Sequence, residues 1–351
     1  MDISVIGAAG TMGRQIAISL VQERALPASA RLQLVGRADG PSARQLPGLA
    51  ADLSDAHAEV LPEIDVALSP EEMLGDILIF AAGRAVPPDP TRPADRAELA
   101  RHNRRVFERY ARALADHGHG EELVLIVTNP VELGVHIFSQ HHPRERVVGM
   151  GAFLDTLRFR REIAADLGVR RQNVRGLVLG EHGARMVPCW STVSAYGFDS
   201  PDGRRRIAAL RGSDDPEVGE ALATISRLVV DRGPAEAYRA AAAYGPALRT
   251  FIKPYITHFS GAKTPVSTAE IISRLVETIV SGKQMRAAAQ LRLEGELLDI
   301  HGVTGVPVML SNRGATPVAD LELYDEEARA VRAAAEKVDG YIRGIMEGGG
   351  P

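Results

Sequence analysis

Four short, strongly apolar runs constrain this chain more than any other feature: ISVIG (3–7), RLQLVG (31–36), ILIFAAG (77–83) and LVLIVTN (123–129). They are rich in β-branched residues and nearly continuous rather than alternating, the pattern of strands covered on both faces. A helical pattern, GRQIAISLVQER (13–24), separates the first two. Strand–helix alternation of this kind predicts an α/β fold, a doubly wound parallel sheet with right-handed crossovers.

The first strand runs into GAAGTMG (7–13), which places Gly7, Gly10 and Gly13 in a strand–turn–helix context. Free N–H groups and the dipole at a helix N-terminus favour an anion, and side chains at the glycines would block close backbone approach. The reading is a pyrophosphate site of Rossmann type, with a tight ligand-free βα turn as the bland alternative. A dinucleotide site usually carries an acid for the ribose at the end of the second strand. Here that strand ends at Gly36, and Arg37 follows. Glycine leaves room and Arg37 supplies a cation, which suits a 2′-phosphate and hence NADP. Asp39 stands close enough to serve the ribose of NAD instead.

RAVPPDPTRPADR (84–96) breaks the alternation with four prolines directly after a strand. Loops at strand carboxyl ends surround the ligand crevice in open α/β sheets, so this is a candidate lid. After residue 150 the texture changes. FLDTLRFRREIAADLG (153–168) is a helix with a glycine stop, and VRGLVLG (174–180) is strand-like. Residues 200–262 are helical with interruptions, GVPVMLSNRGATPV (305–318) reads as a hairpin, and 325–346 form a long final helix. At roughly 100–200 residues per domain, the 351 residues divide into a dinucleotide-binding domain at 1–150 and a second, α+β domain at 151–346. EGGGP (347–351) is expected to be a disordered tail.

Composition removes several function classes. The net charge of −4 gives no basic field for nucleic acid or acidic membranes. Cys189 is the single cysteine, which excludes a disulfide framework and a multi-cysteine metal site. No apolar run reaches the ~18 residues of a membrane span. A cytoplasmic protein without a leader, and without a metal, is expected.

LGEHGARMVP (179–188) sets His182 between an acid and a glycine, which strand or helix propensity does not require. Taken in one order, the glycine loop, TNPVE (128–132), FLDTLRFR (153–160) and LGEHG (179–183) resemble the lactate/malate dehydrogenase family. The resemblance runs over nearly the whole chain. DRAELARHN (95–103) is similar to the family's lid motif, and the closing hairpin and helix also match.

The resemblance implies a Rossmann domain, an α+β substrate domain, a homodimer or homotetramer, and hydride transfer between NAD or NADP and a small 2-hydroxy acid. It casts His182 as the proton carrier, Asp155 as the carboxylate on its far ring nitrogen, and Arg96 as the lid cation polarising the carbonyl. Arg158 would hold the substrate carboxylate and Asn129 would donate to the substrate oxygen. Met12, Ala82, Gly83, Asn103 and Val127 would line the cofactor with the glycine loop, Gly36 and Arg37. The chemistry agrees. Oxidising a secondary alcohol needs a base, and reducing the ketone needs the same group as an acid, which suits histidine. Arg158, three residues after Asp155, shares its helical face and carries a planar fork that pairs with carboxylates.

In the malate enzymes a second lid arginine stands six residues before the first; here that offset falls on Pro90. Arg92 and Arg84 are the candidate replacements, and Arg92 is favoured because it is nearer Arg96. Malate is therefore the leading substrate, with lactate or another 2-hydroxy acid as the alternative. SGAKTPVSTAEII (260–272) resembles the substrate wall, with Lys263, Thr264 and Ser267 as possible contacts. Two other classes compete: an NAD-dependent glycosidase, which needs a metal and a cysteine where TNP has threonine, and a nucleotide-binding regulatory protein without catalysis.

Overall fold

The computed structural model describes residues 1–57, 59, 61–87, 96–211, 215–262 and 264–348. Six parallel strands build the first half of the sheet: β1 (Ile3–Ile6), β2 (Arg31–Val35), β3 (Glu63–Ala67), β4 (Ile77–Phe80), β5 (Leu123–Ile126) and β6 (Val147–Gly149). Their spatial order is β3-β2-β1-β4-β5-β6, the doubly wound order of dinucleotide-binding sheets.

The continuous apolar runs are explained by two cores. Ile77 and Ile79 of β4 and Leu123 and Leu125 of β5 face one core, with α1 (Thr11–Gln22), α2 (Ser42–His57) and α10 (Pro265–Val280). Leu78, Phe80, Val124 and Ile126 face the other, with α3 (Arg96–His117), α4 (Val131–Phe138) and α11 (Asp325–Glu347). Phe80 packs against Phe107 of α3 at 5.0 Å and Phe138 of α4 at 5.3 Å between ring centroids. Each fully buried phenyl ring contributes roughly 1.5–3 kcal/mol, so this cluster seats both helices that flank the end of β5.

The sheet then turns antiparallel. β6 meets β9 (Met285–Glu294) through Gly149 and Gln290, and β9 pairs along its length with β10 (His301–Ser311). β10 meets β7 (Val174–Gly180) at Gly305 and Gly180, and β8 (Met186–Ala195) forms the far edge. β10 and β11 (Gly314–Pro317) make the expected hairpin. Between them, α5 (Gly151–Leu167) runs from the last parallel strand and ends at Gly168, whose φ of 69° accommodates the left-handed cap. α6 (Pro201–Arg211), α7 (Val218–Arg232), α8 (Pro234–Ala241) and α9 (Pro246–Phe259) fill the helical stretch. Glu162 of α5 anchors α9 through Arg249 at 2.8 Å and Lys253 at 2.6 Å.

The final helix extends one residue into the expected tail, ending at Glu347 because the amphipathic pattern of α11 continues to that point; 349–351 lie outside the described residues. No described helix is long and apolar enough to cross a membrane. Among the described residues, no group of three or more His, Cys, Asp or Glu gathers as a metal site. Cys189 is buried on β8, and burial pushes its thiol upward in pKa.

Candidate active site

The crevice lies at the carboxyl ends of the parallel strands, where β1 and β4 diverge in crossover direction. A Cβ on Gly7 would stand 2.7 Å from the backbone of Ala82, and one on Gly13 would stand 2.3 Å from the Gly7 carbonyl. The glycine loop is therefore pressed between the end of β4 and the start of α1, with no volume left for side chains. Gly10 is the N-cap of α1, no side chain caps it, and the first turn holds no acid. The first-turn N–H groups lack intrahelical partners, so the turn is built to receive an anion. Met12 lies half-buried in this first turn. A dinucleotide fits this cradle: Gly7, Gly10 and Gly13 would hold its phosphates, with Ala82, Gly83 and Val127 at the ends of β4 and β5 beside it.

The end of β2 differs from expectation. Gly36 does not leave open room, because a Cβ there would stand 2.6 Å from Leu46 Cδ1 and 2.7 Å from Ser42 Cβ. Helix α2 packs directly onto the strand end through Ser42 and Leu46. Ser42 Oγ accepts from the Arg37 N–H at 2.9 Å and donates to the Arg37 carbonyl at 2.8 Å. The Arg37 side chain is 61% exposed, 3.8 Å from Asp39. Ser42 was missed in the sequence, although a serine opening a helical pattern is a recognisable signal.

Asn103 serves the main chain at the ends of β4 and β5. It is fully buried. Its Oδ1 accepts from the Arg84 N–H at 2.8 Å, and its Nδ2 donates to the carbonyls of Arg84 and Asn129 at 3.0 and 2.7 Å. Because its amide serves the main chain, Asn103 braces the segment after β4 at Arg84 against the loop after β5. That loop carries Asn129, exposed and joined by a cis peptide to Pro130. Arg96 opens α3, its side chain outside what is described; Arg92 and Lys263 lie outside the described residues. Arg84 is exposed on the lid base. Thr264 stands at the N-terminal boundary of α10 without a side-chain capping bond, and Ser267 donates to the Thr264 carbonyl.

The second half of the site is set by α5 and the turn after β7. His182 Nδ1 lies 2.7 Å from Asp155 Oδ2, across 27 residues of sequence. Arg158 Nη1 donates to Asp155 Oδ1 at 3.0 Å. Asp155 is 1% exposed and Arg158 is 13% exposed, so their i,i+3 contact is a buried pair rather than a surface one. A single carboxylate thus orients both the imidazole and the guanidinium, leaving Nε2 of His182 and the rest of the Arg158 fork for a ligand. The histidine ring rests on Gly151, where a Cβ would stand 2.2 Å from its Cγ.

Burial opposes charge on His182, but the Asp155 carboxylate overcomes it with help from Glu132, and the imidazole pKa lies above its ordinary value. Burial lowers the Arg158 pKa, opposed by Asp155; an arginine nevertheless stays cationic. Glu132 accepts from the His182 N–H at 2.7 Å. Its burial raises the carboxyl pKa, opposed by that N–H and by the imidazole. Glu132 closes the TNPVE motif, yet no role attached to it in the sequence. Together these groups can exchange a proton beside a bound carboxylate, next to a cradle for a dinucleotide.

Comparison with known proteins places these features in context. The profile described as lactate/malate dehydrogenase, NAD binding domain, matches residues 1–149. A malate dehydrogenase of Methanothermobacter thermautotrophicus is 30% identical, over 99% of this chain and 98% of that protein. An L-2-hydroxycarboxylate dehydrogenase (NAD(P)(+)) of Methanocaldococcus jannaschii is 27% identical over 98% of this chain and 99% of its own. The crystal structure of malate dehydrogenase from Plasmodium falciparum shares the fold, with a TM-score of 0.74, 21% identity and 99% of both chains covered.

Proposed function

Because the chain belongs to the lactate/malate dehydrogenase family, we propose that its cleft interconverts malate and oxaloacetate, with His182 as the proton carrier. The broader class is a 2-hydroxyacid dehydrogenase with an NAD-binding domain. The observation that carries the assignment of roles is the Asp155 carboxylate shared between His182 and Arg158.

In the reductive direction Arg158 grips the carboxylate of the 2-keto acid through its planar fork. His182, protonated, presents Nε2–H to the ketone oxygen while Asp155 fixes Nδ1. When bound, a nicotinamide would supply the hydride for the carbonyl carbon. The proton passes from Nε2 to the forming hydroxyl oxygen, and Asp155 ceases to face a cation on the ring. Oxidation reverses the path, with neutral His182 taking the hydroxyl proton. Arg96 polarises the carbonyl from the lid, Asn129 donates to the same oxygen, and Arg92 pairs with the distal carboxylate of a dicarboxylate substrate.

Residues 1–150 form the dinucleotide-binding domain, which also lends Arg92, Arg96 and Asn129 to the substrate, and 151–346 form the substrate domain with Asp155, Arg158 and His182, in a homo-oligomer. NADPH is used at least as well as NADH. The exposed Arg37 fork, its main chain fixed by Ser42, and the absence of an acid at Gly36 support this reading. The Methanocaldococcus relative is an L-2-hydroxycarboxylate dehydrogenase named for NAD(P)(+).

A panel of 2-keto acids with NADH and NADPH tests these statements together. Oxaloacetate is expected to give the highest kcat/KM, and Arg92→Gln is expected to reduce it more than that for pyruvate. Equal loss on both substrates would remove Arg92 from the distal site. Arg37→Gln is expected to raise KM for NADPH and leave that for NADH nearly unchanged. Gly36→Asp is a poor probe, since the new side chain would displace Ser42 and Leu46.

A further inference from the structure

The turn that carries His182 joins β7 to β8 and is closed by the pairing of Gly180 with Met186 and by the Glu181–Arg185 ion pair. Gly180 and Gly183 bracket it at φ values of 80° and 117°, conformations that glycine adopts without strain and other residues rarely do. Within the turn, the Met186 N–H reaches the Gly183 carbonyl only at 3.4 Å. A proton carrier must nevertheless be held closely to its reacting geometry. Asp155 holds the ring, and Gly151 gives it space, but neither holds the main chain of the turn.

Glu132 does. Its Oε1 accepts from the His182 N–H at 2.7 Å, across 50 residues of sequence. The side chain is 5% exposed and lies in the first turn of α4, where the helix dipole favours an anion. Three residues earlier stands Asn129, whose carbonyl is braced by Asn103. One carboxylate thereby ties the loop after β5, on the parallel side of the cleft, to the turn after β7, on the antiparallel side.

We propose that Glu132 is a positioning residue for His182, fixing the main chain of the turn and supplying a second buried negative charge behind the imidazole. The charged groups facing His182 are Asp155 and Arg158 from α5 and Glu132 from α4; Glu181 of the turn acts on Glu132 and is engaged by Arg185 at 2.9 Å. Both buried carboxylates favour the imidazolium and Arg158 opposes it, so Glu132 tilts the balance toward a histidine that remains protonated for ketone reduction.

The inference rests on His182 being the proton carrier, and the test separates the two. The ring of His182 is titrated by NMR in the cofactor-free full-length protein, its signals assigned by their loss in His182→Gln. This readout needs no turnover. Glu132→Gln keeps a carbonyl acceptor for the His182 N–H but removes the charge. The titration midpoint is expected to fall by roughly one pH unit, and the pH limb of 2-keto acid reduction is expected to fall with it. Glu132→Leu removes acceptor and charge together. Its midpoint is expected to fall similarly, with kcat lower by on the order of tenfold or more and KM for the keto acid much less affected. Glu132→Asp is expected to bring the midpoint back toward the parent value. A midpoint unmoved in both the Gln and Leu variants would overturn the proposal. If the midpoint moves but the reduction limb does not follow it, the Glu132 effect stands and the proton-carrier reading fails.

Discussion

Replacing Asp155 by asparagine is the most informative single perturbation of the site. The carboxylate is 1% exposed and makes two charge-assisted contacts, at 2.7 Å to His182 Nδ1 and 3.0 Å to Arg158 Nη1. Asparagine keeps the shape but removes the charge. Arg158 is then left buried beside a ring that must become cationic for reduction. Breaking a buried pair on one side costs about 3–5 kcal/mol. At about 1.4 kcal/mol per factor of ten, that corresponds to a loss in kcat on the order of 10²–10⁴, provided most of the cost falls on the step that uses the imidazolium. The asparagine can also present its amide N–H to Nδ1 and select the wrong tautomer, which acts in the same direction. KM for the keto acid should rise as well, because the guanidinium loses the group that aims it. Steady-state reduction followed by nicotinamide absorbance, with cofactor affinity measured separately by fluorescence, separates these effects. A kcat within about fivefold of the parent, at unchanged cofactor affinity and with an unmoved pH limb, would refute the reasoning.

Four further outcomes follow from the same geometry. Gly151→Ala places a methyl 2.2 Å from His182 Cγ, so the ring must leave its position against Asp155; kcat should drop at least about tenfold while cofactor affinity, read by fluorescence titration, is retained. Arg158→Lys keeps the charge but not the fork, and KM for 2-keto acids should rise on the order of 10–100-fold, as measured by initial rates. The raised His182 pKa keeps the acid form populated above the ordinary histidine range. Reduction should therefore hold its rate until pH rises through that raised value, and oxidation should grow only as pH passes it; paired pH–rate profiles in the two directions check the sign. The same group favours folding below the unfolded histidine pKa, a contribution lost as pH rises through the folded one, and denaturant titrations on either side of that window read it.

Much of the fold is legible in the sequence. Continuous apolar runs at 77–83 and 123–129 require cover on both faces, and successive residues of β4 and β5 do enter opposite cores. The hairpin at 305–318 and the glycine stop at 168 were equally plain, since turn and cap chemistry is local. Short strands such as β6, three residues long, carried too little pattern to be read alone. The pairing of His182 with Asp155 could be expected only through resemblance, because nothing in 27 intervening residues encodes a 2.7 Å contact.

The sequence by itself determined the parallel strands β1, β2, β4 and β5 and the glycine turn between β1 and α1. These depend on periodicity and on backbone preferences that act over a few residues, whereas the candidate acid–base and carboxylate-binding side chains were singled out by resemblance. Only the tertiary structure decided that Ser42 and Leu46 fill the space at Gly36, that Asn103 serves the main chain at 84 and 129, and that Glu132 reaches the His182 N–H. Those contacts arise where helices dock on strand ends and where the parallel half of the sheet passes into the antiparallel half. Docking geometry is a property of packed surfaces from distant segments, and no local pattern along the chain specifies it.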